Sequence, residues 1–136
     1  MRIYLCLILI AGSISQSAQG ADTFPQFTHQ VIDANIGKVC YAVTAADVDG
    51  DKKTDIVAVS ENRVLWYQAP DWKMRVIIQD QTPRDNVCIA AQDIDGDGKI
   101  DFALGAGWTG TGTIHWLGRS ESLEERWQVY EIGVER

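Results

Sequence analysis

Two short stretches of this chain concentrate carboxylates: "DVDGDKKTD" at 47–55 and "DIDGDGKID" at 93–101. Each places Asp at positions 1, 3, 5 and 9, as Asp47, Asp49, Asp51 and Asp55, then as Asp93, Asp95, Asp97 and Asp101. Like charges this close repel, so the pattern calls for a compensating cation. Carboxylates at alternate positions can converge as the chain curls, and position 7 (Lys53 or Lys99) can add a backbone carbonyl. Every donor is then a hard oxygen, with no His or Cys nearby to suit zinc. That set predicts Ca²⁺, which takes 6–8 oxygens at about 2.3–2.6 Å, over Mg²⁺ or a transition metal. Up to two ions are expected, each the largest charge in its site.

The ordinary alternative is a solvated turn rich in Asp and Gly. Two nine-residue matches at one fixed offset favour the metal. An EF-hand does not fit, because its position 12 requires Glu and here holds Ala58 or Leu104. The two loops also differ at position 6, which is Gly98 in the second and Lys52 in the first. A sharp turn there often needs φ > 0, which glycine adopts freely and lysine does not. The 47–55 site is therefore expected to bind calcium more weakly than the 93–101 site.

The elements that hold these loops repeat with them. All four Asp positions recur at an offset of 46, and the flanks match: "DIVAVS" (55–60) with "DFALGA" (101–106), and "NRVLWYQ" (62–68) with "GTIHWLG" (112–118). A third element occurs as "QFTHQVID" (26–33), "DWKMRVII" (71–78) and "RWQVYEIG" (126–133). The runs are short, rich in β-branched and aromatic residues, and separated by Gly, Asp, Asn and Pro, which reads as strands. No helical apolar stripe is present; "SESLEERW" (120–127) allows one turn at most. The prediction is an all-β fold: a partial β-propeller of two four-stranded antiparallel blades, about 39–79 and 87–132, plus one extra N-terminal strand at 27–33. Trp66 and Trp116 would lie on third strands, Trp72 and Trp127 on fourth strands, packing the faces between blades. Propellers typically have at least four blades. Two alone would leave a broad face uncovered at each end, so the chain reads as a truncated piece of a longer protein, or else as one that self-associates.

"AADVDGDKKTDIVAV" and "AAQDIDGDGKIDFALGAG" resemble the FG-GAP/VCBS repeats of integrin-α-like propellers. "FALGAG" (102–107) approximates the segment that names the family, and "IVAVSE" departs from it further. The resemblance implies that the loop between the first and second strand of each blade binds Ca²⁺ through the eight Asp residues above. It fixes the fold much better than the function.

The segment 1–20 has the layout of a secretory signal peptide: Arg2, an apolar core "IYLCLILIA" (3–11), and small residues before Ala21. The apolar run is too short to span a bilayer. The mature chain, 21–136, is expected to be secreted, extracellular or periplasmic, with no membrane insertion after processing. Its net charge would be -8, because the segment removes only Arg2 from the whole-chain value of -7. Such an acidic chain without basic clusters is not a nucleic-acid binder. Of its 19 acidic residues, eight lie in the two loops, so bound cations would neutralise much of the excess. Export permits a disulfide between Cys40 and Cys88, and two buried small apolar side chains are an equal alternative.

No catalytic constellation emerges, and the chain is read as a non-enzyme. His29 and His115 sit in no catalytic motif, Ser60, Ser120 and Ser122 lack a nucleophile elbow, and the cysteines lack protease signatures. "GAGWTGTGT" (105–113) fits no phosphate motif and reads as a hairpin between second and third strands. Trp108 within it has no counterpart in the first repeat, so it is the tryptophan that could meet a ligand such as a sugar ring. The function expected is a secreted calcium-binding repeat module for a protein or glycan ligand. The alternatives are an N-terminal fragment of a carbohydrate-active lyase or dehydratase-like propeller, as the resemblance allows, or a non-functional stump.

Overall fold

The computed structural model describes residues 24–135. The segment read as a signal peptide lies outside them. The described residues form eight strands and no helix, so no helix among them could cross a membrane. The strands make two four-stranded antiparallel sheets, each in simple sequential order. The first sheet holds β1 (Cys40–Ala46), β2 (Asp55–Ser60), β3 (Arg63–Gln68) and β4 (Lys73–Gln79). The second holds β5 (Asn86–Gln92), β6 (Asp101–Ala106), β7 (Thr113–Gly118) and β8 (Gln128–Val134). These are the two blades the repeat predicts. The fourth strands begin two residues later than the repeated segments 71–78 and 126–133, so Trp72 and Trp127 precede β4 and β8 rather than lying in them.

Register explains which side chains build the core. In the first blade Val57 faces Trp66 and Val59 faces Val64, which puts all four on one face. In the second, Phe102 faces Leu117, and Leu104 shares its face with Ile89. These two faces pack together with Val48, Ile77, Ile78 and Trp127 as the main core. Trp127 stacks on Phe102 at 5.3 Å, and its backbone N–H donates to the Ile77 carbonyl at 3.0 Å. The blades therefore stack head to tail. The first blade contributes the face that carries Trp66, and the second contributes the face opposite the one that carries Trp116. Arg75 lies over the Trp66 ring, 4.7 Å from its centroid, and reaches Glu124 of the second blade at 2.9 Å.

The strand expected at 27–33 does not form. Residues 24–30 are exposed and pair with no strand, and Phe24 and Phe27 contact each other there. Residues 31–37 instead lie across the outer face of the first blade. Ile32 and Ile36 pack on Ala58, Leu65 and Tyr67, with Ile56, Trp72 and Val76 alongside. The physical reason is burial. That face is apolar, and covering it withdraws two isoleucines from water, which outweighs an unpartnered ladder. So only one blade face is left open, not two.

The cysteine expectations also change. Cys40 pairs with Ser60, whereas Cys88 pairs with Gly105, the position that Val59 holds opposite Ala42 in the first blade. The two cysteines are thus not equivalent. Both are free and exposed, which excludes the bridge and the buried pair alike. A Cβ on Gly105 would come within 2.6 Å of the Cys88 sulfur, so glycine is what lets that side chain lie flat against β6.

Candidate metal centres

Each acidic loop joins the first strand of a blade to the second, 47–54 between β1 and β2 and 93–100 between β5 and β6. The two loops are held by the same hydrogen bonds. Asp47 accepts from the Gly50 N–H at 2.9 Å and from the Lys52 N–H at 2.9 Å. Asp93 accepts from Gly96 at 2.7 Å and from Gly98 at 3.0 Å. Asp49 and Asp95 each accept from the N–H two residues on, at 3.1 Å in both loops. Asp51 and Asp97 do the same with Lys53 and Lys99, both at 2.8 Å. Successive Asx-type bonds curl the loop and turn the carboxylates to one side, where they could not settle by repulsion alone.

The curl brings Asp47, Asp49 and Asp51 together in the first loop, and Asp93, Asp95 and Asp101 in the second, with carboxylate oxygens within 4.8 Å of one another. The donor set is all-oxygen and anionic, which fits a hard divalent cation. Asp55 does not join the first group and Asp97 does not join the second.

The position-9 aspartates have a role that spacing did not reveal. Asp55 is fully buried; one oxygen accepts from the Val48 N–H at 3.1 Å and the other from the Ala69 N–H at 2.8 Å. Asp101 repeats this with Ile94 at 3.2 Å and Arg119 at 3.0 Å. Each carboxylate clamps its loop to the turn after the third strand. Ala69 and Arg119 follow β3 and β7 at equivalent places, a signal that the matched third strands carried.

Lysine sets the electrostatics. The Lys53 ammonium lies 2.5 Å from Asp51 and is the main reason its carboxyl is held below the usual range. Lys99 is less committed, at 3.3 Å from Asp97 and 3.5 Å from Glu121. The Lys99 backbone N–H is the largest influence lowering the Asp97 carboxyl. In the first loop the Gln68 amide also donates to Asp49.

Position 6 adopts the conformation that the turn demands in both loops: Lys52 has φ 66° and Gly98 has φ 84°. The loops also differ in surroundings. Val48 is buried in the core, and its carbonyl accepts from the Arg119 guanidinium at 2.8 Å, whereas Ile94 is 41% exposed.

The hairpin 107–112 is where the glycine pattern put it, with Trp108 67% exposed and 5.8 Å from Tyr41. His115 is buried, its Nε2 2.8 Å from the Thr113 hydroxyl, and burial pushes its pKa down.

Comparison with family models matches residues 47–104 to the FG-GAP-like repeat. Comparison with curated proteins and with solved structures gave no significant match.

Proposed function

From the premise that the chain is an FG-GAP-like repeat protein, we propose that it is a calcium-stabilised binding module exported from the cytoplasm, not an enzyme. The observation that carries the reading is the one-to-one match of hydrogen bonds in the two acidic loops, each ending with three convergent carboxylates. Asp47, Asp49 and Asp51 would serve the first ion and Asp93, Asp95 and Asp101 the second, with the Lys53 and Lys99 carbonyls completing the sets. Asp55 would hold the first loop in place, and Asp97 would have to turn inward to join the second set. The ion would supply structure: it offsets carboxylate repulsion and ties the first strand of each blade to the second. Export is supported by the basic and apolar layout of residues 1–20.

A rigid pair of blades presents its loops to a protein or glycan partner. The exposed Trp108, beside Tyr41, is the surface best suited to stack on a sugar ring or an aliphatic side chain. Thermal unfolding with and without Ca²⁺ tests the metal assignment. One site held at about 100 times its Kd adds about 2.7 kcal/mol, which for a domain this size raises Tm by roughly 10 °C. An unchanged Tm in saturating Ca²⁺ would refute it.

A further inference from the structure

The two blades have different outward faces, and only one is covered. The second blade meets the first through Ile89, Ala91, Phe102, Leu104, Leu117 and Trp127. By register, the same face of the first blade carries Val43, Ala45, Ile56, Ala58 and Tyr67, and Trp72 packs against it. That is the surface on which a preceding blade would sit. Ile32 and Ile36 sit there instead.

The anchors of this strap are specific to the first blade. The Tyr67 hydroxyl donates to Asp33 at 2.6 Å, and the Arg63 guanidinium donates to the Ile36 carbonyl at 2.6 Å. At the equivalent register positions the second blade has Leu117 and Thr113, which can make neither bond. The face has thus been altered from one that receives a blade to one that holds a strap. Burial and the bond to Asp33 raise the pKa of the Tyr67 hydroxyl, so it remains a donor.

At the other end no such cover exists among the described residues. The second blade shows Ile114 (46% exposed) and Tyr130 (45% exposed) on the face whose counterpart in the first blade is buried between the blades. Repeat arrays commonly end in atypical units that stop growth.

We propose that residues 31–37 are an N-terminal cap: they occupy the blade-receiving face of the first blade and block head-to-tail docking of a second copy's open face. The array is thereby closed at its first blade and can be extended only from its second. Displacing the strap bares a surface that matches, blade for blade, the one the second blade already uses inside the chain.

Sedimentation velocity of the full chain over a concentration series tests this. Ile32→Asp combined with Ile36→Asp should produce concentration-dependent association beyond that of the wild type, and adding Ile114→Asp should abolish it. A folded strap variant with wild-type mass at every concentration would overturn the cap, as would association indifferent to Ile114→Asp. A milder variant guards against loss of folding. Tyr67→Phe removes one hydroxyl, and deuterium uptake across residues 31–37 should rise roughly fivefold, the effect of one lost hydrogen bond. Uptake unchanged from wild type would equally overturn the proposal.

Discussion

The two acidic loops share a sequence pattern and a hydrogen-bond pattern, yet they do not share a setting. The first is wedged into the interblade core by Val48 and tied by Arg119 and Gln68; the second stands at the open end with Ile94 in solvent. The first also carries the two features that oppose a cation, a lysine in a left-handed turn and an ammonium close on Asp51. Packing preorganises the first loop while its local chemistry works against it. The second has sound local chemistry and little external support. Loop spacing alone therefore does not rank the sites.

The clamp aspartates give the largest expected effect and show where the loops are alike. Asp55→Ala leaves the Val48 and Ala69 N–H groups without their acceptor in a buried setting, at a cost of about 3 kcal/mol. Asp101→Ala does the same to Ile94 and Arg119 in a more open setting, at about 2 kcal/mol. Urea unfolding in chelator checks both without any metal. Negligible losses in chelator would show that the clamps matter only through a bound ion.

Position 6 separates the loops next. A non-glycine residue at positive φ costs about 1 kcal/mol, and Lys52 also brings a positive charge to a cation site. Lys52→Gly should tighten calcium at the first loop about fivefold or more, and Gly98→Lys should weaken the second by a similar factor. Calorimetric titration, with the other loop disabled by Asp47→Ala or Asp93→Ala, reads each site alone. A first site already tighter than the second would mean that burial of Val48 outweighs the strained turn.

Much of this was legible in the sequence, and the parts that were not share a cause. Strands, blades and loop curl follow from alternation, the 46-residue echo and Asx chemistry, all local signals. The segment 27–33, which overlaps the start of the strap, reads as a strand because "QFTHQVID" resembles the fourth strand of each repeat. Its fate was decided elsewhere, by an apolar face with no blade on it and by Arg63 and Tyr67 waiting there. The clamp role of Asp55 and Asp101 was hidden for the same reason, since their partners at Ala69 and Arg119 lie 14 and 18 residues on. Cys40 and Cys88 looked equivalent by position, and only the ladder register separates them.

A third contrast lies across the interblade face, where the second blade has His115 in the place of Leu65. His115 shares a polar recess of about 590 Å³ with Asp80 and Glu131; burial lowers its pKa below 6.5, and Glu131 opposes this only in part. A base whose folded pKa is depressed contributes stability that is complete above the unfolded value and falls away as pH drops through the folded one. Stability should therefore decline as pH falls from 6.5, and His115→Leu, which copies the first blade, should flatten that decline. Parallel pH profiles for the two proteins would remove His115 from the account.

The smallest effect concerns the strap, and it runs in the same direction for a different reason. The Tyr67 hydroxyl, then the Asn35 N–H, holds the Asp33 carboxyl below its ordinary 3.8. A carboxylate with a depressed folded pKa contributes stability that is present above the unfolded value and lost as pH falls through the folded one. The strap's hold should weaken only below about pH 4, well under the range where His115 acts. Tyr67→Phe should cost about 1 kcal/mol or less at neutral pH, since the Asp33 carboxylate is partly solvated and can turn to water. Its clearer mark is a reduced acid slope between pH 4 and 3, measured by chemical unfolding. Leu117→Tyr places the same hydroxyl on the second blade, where no Asp33 meets it, and should leave that slope untouched. If both variants changed the slope alike, the hydroxyl would act through general burial, and the distinction between a strapped face and a blade-receiving face would lose its electrostatic support.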